Sequence, residues 1–200
     1  MHSPQMLVQD RLGLFDGATG VAVSAALVAR ALHNQALGDE AAGLTARIAA
    51  QLLTGPPAGA ELDLIGGVAG TMLGLQGSAA ALGIPAPDVD ALAAALTRAA
   101  MPQTWGAAWV TGGAVRGGPP LLGMGHGAAG IALALGEAAA DGDDAAATAC
   151  AQALEYERGW FEPTPPAWPD LRKLGDDGAP VGSMAAWCHG AIGIGLSRVR

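Results

Sequence analysis

Apolar residues fall along this chain in two kinds of run. One kind starts at a Gly-x-x-Gly step and stays apolar nearly all round: Gly17-Ala-Thr-Gly20-Val, Gly67-Val-Ala-Gly70-Thr, Gly127-Ala-Ala-Gly130-Ile and Gly190-Ala-Ile-Gly193-Ile. The other kind confines its apolar residues to one stripe at helical spacing. Residues 40–53 place Leu44, Ile48 and Leu52 on one face, with Arg47 and Gln51 elsewhere. Residues 88–101 align Val89, Leu92 and Leu96 behind Asp88, an expected N-cap after Pro87. Residues 143–158 open on Asp143-Asp144 and close on Arg158, charges that suit a helix dipole.

The leading glycines stand at 17, 67, 127 and 190, so one unit recurs every 50 to 63 residues. A recurrence on that scale signals a helical repeat. The alternation predicts glycine-led inner helices and amphipathic outer helices, paired as hairpins, with the inner N-termini gathered at one end. Glycine relaxes the dihedrals at the turn into a helix and lets backbones approach closely. A single Gly-x-x-Gly is ordinary small-residue packing. Four in the same register imply a shared structural role.

Composition agrees with an all-α fold. Aromatics are only 4% of the chain, so the core is built from Ala, Leu, Ile and Val, with the strong helix formers Ala and Leu prominent. The net charge of −8 argues against a nucleic-acid surface or a polybasic membrane anchor. The opening residues MHSPQMLVQDRL lack a basic start followed by an apolar core, and glycine and polar residues interrupt every long apolar run. The two cysteines form no CxxC pair. The expectation is one cytoplasmic domain, or a piece of one.

The chemically reactive residues cluster just before the leading glycines. Asp63 lies four residues before Gly67, His126 one before Gly127, and Cys188 and His189 two and one before Gly190. Gathered N-termini would bring these side chains together. A cysteine at a helix N-terminus is favoured as thiolate, the form that binds zinc, although a lone cysteine is more often a small buried apolar residue. His126 could exchange protons near neutral pH, or sit bonded to a backbone carbonyl. Asp63 could act as acid, base or orienting partner, or only cap a helix. Asp16, in the matching loop of the first repeat, reads as structural, as does Cys150 among alanines. His2 and His33 have no supporting pattern.

Taken in order, LDLIGGVAG, GMGHGAAGIALAL and AWCHGAIGIGL resemble the successive motifs of LanC-like lanthionine cyclases. The stretch YERGWFEP…AWPDLR followed by SMAAWCHGAIGIGL is similar to the cyclase domain of class II lanthipeptide synthetases. The resemblance implies an α,α-toroid of concentric inner and outer helix barrels, an activity in lanthipeptide (lantibiotic) biosynthesis, and a zinc cofactor. The reaction it implies adds a peptide cysteine thiolate to dehydroalanine or dehydrobutyrine in a dehydrated precursor peptide. By correspondence Cys188 is the first zinc ligand, His126 the active-site histidine and Asp63 the active-site aspartate. His189 falls where members carry His or Tyr near the metal, a catalytic position rather than a ligand.

The family pattern carries a further CHG motif after this WC-x-G position, supplying a second Cys and a His to the metal, and none follows Cys188-His189-Gly190 within residues 1–200. The expectation is therefore a partial domain of four repeats with an incomplete toroid and zinc site, lacking earlier repeats. It would be inactive alone unless another chain supplies CHG. Ile192, Ile194, Leu196 and Val199 should then lack packing partners. Two other readings are a noncatalytic peptide-binding module and a six-hairpin glycosidase using Asp16 and Asp63, which leaves WCHG unexplained.

Overall fold

The computed structural model describes residues 11–199, so His2 and most of the opening stretch lie outside the described residues. The chain is all-α, with two short hairpins. Its helices are α1 (Ala18–Leu32), α2 (Gln35–Leu52), α3 (Val68–Leu82), α4 (Asp90–Ala99), α5 (Ala128–Ala140), α6 (Asp144–Gly159) and α7 (Ala191–Leu196). The hairpins are β1 (Met101–Pro102) with β2 (Ala107–Ala108) and β3 (Glu162–Pro163) with β4 (Pro166–Ala167). Among the described residues no helix is long and apolar enough to cross a membrane. The chain divides into two compact units, one of residues 11–60 and 64–95, the other of 61–63 and 96–199.

In the first unit α1 packs on α2 and α3. Their contact is built from small residues, with Ala26, Ala41 and Ala81 buried together. Alanine brings helix axes close, and the backbone gains contacts that larger side chains would prevent. On the buried face of α2, Thr45 donates to Ala41 O at 2.9 Å, so the 2.7 Å bond between Thr45 and Ser78 takes its proton from Ser78. Helix α2 begins five residues earlier than its apolar stripe suggests, because Asn34 caps it by accepting the Leu37 N–H. Ile48 and Leu52 are buried as expected, but Leu44 only partly.

In the second unit α5 packs on α6 and α7, and β2 on α6. Trp109 is buried and donates to Leu96 O at 2.8 Å, while Tyr156 donates to Pro120 O at 2.6 Å. Asp143 caps α6 by accepting two N–H groups at 2.9 Å. At the start of α4, which belongs to the first unit, the expected cap is displaced by one residue: Val89 supplies the first helical carbonyl, and Asp88 accepts the Asp90 N–H. Ile194 is fully buried, against expectation, whereas Ile192, Leu196 and Val199 are exposed. Helix α1 likewise leaves Val21, Leu27, Val28 and Leu32 exposed and so is not covered all round.

The glycine steps have a steric cause. The leading glycines 17, 67, 127 and 190 are all extended, a conformation any residue adopts. A Cβ at Gly20, Gly70 or Gly193 would strike the carbonyl of Leu14, Leu64 or Trp187, six residues earlier in each case, and one at Gly17, Gly127 or Gly190 would also strike the backbone of the loop before it. The chain thus folds back on its own backbone at these glycines. We expect Gly70→Ala to destabilise the chain by about 3 kcal/mol through this overpacking. Gly77→Ala, in the same helix but facing open space, should stabilise it by up to about 1 kcal/mol. Chemical denaturation of the two variants checks the contrast.

Candidate active site

Within each unit the two glycine turns are joined by a backbone bond in the same register. In the second unit Gly125 donates its N–H to Cys188 O at 3.0 Å. Each of these residues stands two before its leading glycine. Gly123 makes the approach possible. Its φ is +96°, and a Cβ there would come 2.6 Å from Cys188 O and 2.8 Å from the His189 Cα. A Cβ on Gly125 would lie 3.1 Å from that of Cys188. The backbone leading to His126 therefore lies directly on Cys188 and His189. The two imidazoles stack, with ring centroids 6.0 Å apart and planes 19° from parallel.

Asp63 joins the same cluster. Its side chain is 3% exposed, and Oδ2 lies 2.5 Å from His126 Nδ1, on a ring that is 34% exposed. An ionised carboxylate only accepts, so Nδ1 carries the shared hydrogen and Nε2 remains for proton exchange. Two further contacts fix this corner. The Thr111 hydroxyl donates to the His126 carbonyl, and Glu61 accepts the Gly112 N–H at 3.0 Å. The structure thus brings Asp63, His126, Cys188 and His189 into one region of one unit.

The surroundings of His189 disfavour its protonated form. Burial lowers its pKa first, and the Arg172 cation adds to this, with Asp170 opposing. Its Nδ1 is buried and has no hydrogen-bond partner. Arg172 is clamped by the buried Asp170 carboxylate through bonds of 2.8 and 2.7 Å, and this clamp holds Asp170 below the usual carboxylate range. The Arg172 charge reaches Cys188 as well. Cys188 is a partly buried free thiol. No three His, Cys, Asp or Glu side chains among the described residues are grouped so as to hold a metal ion.

Sequence reasoning passed over Glu157. This residue of α6 is fully buried, accepts the Gly123 N–H at 3.1 Å and the Arg198 guanidinium at 3.3 Å, and ionises near 7, pushed up by burial. Its backbone carbonyl accepts the Trp168 indole N–H at 2.8 Å. A signal was present: Ala146, Ala149 and Ala153 mark the buried stripe of α6, and Glu157 continues it. The other singled-out residues have structural partners. Cys150 donates to Ala132 O at 3.3 Å, and burial raises its thiol pKa. Asp16 sits against the Gly66 backbone in the first unit, 3.9 Å from Arg11. His33, at φ 50°, closes the C-terminus of α1.

A family model described as lanthionine synthetase C-like protein matches residues 2–200. No curated protein matches the chain significantly.

The raised pKa of Glu157 has a definite consequence for stability. Between its ordinary value of 4.5 and about 7 the folded chain keeps a proton that the unfolded chain has lost. Stability contributed by this group therefore falls as pH rises through that window. Glu157→Gln stays neutral throughout, so wild type should lose stability relative to the variant over this range. Denaturant midpoints of the two proteins at several pH values measure the difference, which would stay flat if the carboxylate were hydrated.

Proposed function

The chain belongs to the lanthionine synthetase C-like family, and we propose that it is the cyclase region of a lanthipeptide synthetase, most like those of class II, which closes thioether rings in a dehydrated precursor peptide. The observation that carries the reading is the Asp63–His126 pair, set on the same backbone seam as Cys188. Ring closure needs a proton removed from a peptide thiol. Sulfur then adds to the β-carbon of a dehydroalanine or dehydrobutyrine, and the π electrons move toward the carbonyl as an enolate. A proton is then delivered to the α-carbon. His126 Nε2 is the proton donor in this reading. Asp63 holds Nδ1, fixes the ring's orientation and stabilises the imidazolium form.

Cys188 would hold a zinc ion as one thiolate ligand, and that ion would favour the thiolate form of the peptide cysteine. The described residues do not make up a zinc site by themselves, so residues 1–200 alone should bind zinc weakly and close rings only when a CHG-bearing segment is supplied. The glycosidase reading loses support, because the Asp63 carboxylate is committed to His126 and Asp16 to the first turn of the other unit.

The test is ring formation on a dehydrated peptide with a free cysteine, followed as loss of alkylatable thiol by mass spectrometry. With the CHG segment present, His126→Asn should lower the rate by about 10²- to 10³-fold and Asp63→Asn by about tenfold or more, the range for a positioned proton donor and its partner. Binding of the peptide should persist in both. Binding without turnover in the wild type would leave a noncatalytic peptide-binding module as the function.

A further inference from the structure

Glu157 is an expensive residue to bury, and its position suggests why it is there. A carboxylate with no solvent exposure costs free energy unless hydrogen bonds and a counter-charge hold it. This one is bonded to the Gly123 amide, to an amide at Ala129 in the first turn of α5, and to Arg198 just beyond α7. Gly123 begins the turn that carries His126. It is also the residue whose missing Cβ lets that turn lie on Cys188 and His189. The backbone carbonyl of Glu157 itself receives the Trp168 indole N–H, next to the Asp170–Arg172 clamp.

We propose that Glu157 is a positioning residue for the reacting site: its carboxylate, by holding the Gly123 amide, sets where His126 stands against Cys188 and His189. This rests on reading His126 and Cys188 as the reacting pair. Glu157 touches none of the reacting groups and acts through the turn. Packing alone does not require it, because a buried ion pair is often replaced by apolar residues at little cost in stability. An acceptor at this depth is needed only because the Gly123 N–H, in a turn with φ +96°, has no helical carbonyl to bond.

The experiment uses a Cys150→Ala background, which leaves Cys188 as the single thiol. The rate of Cys188 alkylation by a neutral reagent at fixed pH then reports how tightly the seam is closed. Glu157→Leu removes the acceptor, leaves the Gly123 N–H and Arg198 without it, and should speed alkylation about fivefold, beyond what its loss of stability alone produces. Glu157→Gln keeps an acceptor for Gly123 and should restore a near wild-type rate. Tyr156→Phe, which loses the hydroxyl's contacts with Pro120 and Trp160 but leaves Glu157 in place, controls for general loosening of α6. Equal rates in the Leu variant and wild type would overturn the proposal. So would a rise in rate that follows stability alike in the Leu and Tyr156→Phe variants.

Should the Leu variant not fold, Glu157→Asp keeps the charge but withdraws it from Gly123, and it should also speed alkylation; a wild-type rate there would overturn the proposal equally. In the CHG-complemented enzyme Glu157→Leu should lower kcat with KM for the peptide unchanged. If wild type forms no rings, the cyclase reading fails, while the alkylation result still decides the role of Glu157.

Discussion

One backbone hydrogen bond, made twice in the same register, is the constraint on which the rest depends. Phe15 donates to Ile65 in the first unit and Gly125 donates to Cys188 in the second, both at 3.0 Å and both two residues before a leading glycine. In each case a glycine two residues before the donor, Gly13 or Gly123, abuts the next turn so closely that a Cβ would collide with its backbone. The bond requires main chain against main chain, which side chains would hold apart. The high glycine content of the chain follows from this geometry, as does the absence of side-chain caps on the four glycine-led helices. Their first amides turn back on the loop instead: Ala18 bonds Arg11 O and Ala128 bonds Leu121 O.

Against that backbone frame, the polar side chains of the second unit form a layered support. Asp63 holds one face of His126, and Thr111 holds its carbonyl. Asp170 clamps Arg172, whose charge lowers the affinity of His189 for a proton. Glu157 lies beneath the turn itself. Each group is buried or half-buried, so each interaction acts at low effective dielectric and is stronger than its counterpart at the surface.

The repeat, its register and the helical nature of nearly every segment were legible in the sequence, because Gly-x-x-Gly and the apolar stripes are local patterns. So was the grouping of Asp63, His126, Cys188 and His189, since each lies within four residues before a leading glycine. What the sequence hid was long-range. Nothing local announces that Glu157 must reach Gly123, 34 residues away, or that Thr111 must reach His126. The two hairpins escaped because they are two residues per strand, below the length at which alternation can be read. The steric reason for the second glycine was hidden too, since it depends on the carbonyl six residues back.

Because the seam is made by main chain alone, the side chains beside it are interchangeable slots. The position before each leading glycine holds Asp16, Gly66, His126 and His189 in turn, and the one before that holds Phe15, Ile65, Gly125 and Cys188. Turns of one construction thus carry structural residues in one unit and candidate chemistry in the other. A scaffold closed by main chain can acquire or lose reactive groups by single substitutions at those slots that have room for a side chain, which Gly66 and Gly125 lack. Duplication of such a turn supplies new chemistry with ready-made placement, and descendants of one ancestral hairpin can diverge in reactivity while remaining superimposable in backbone.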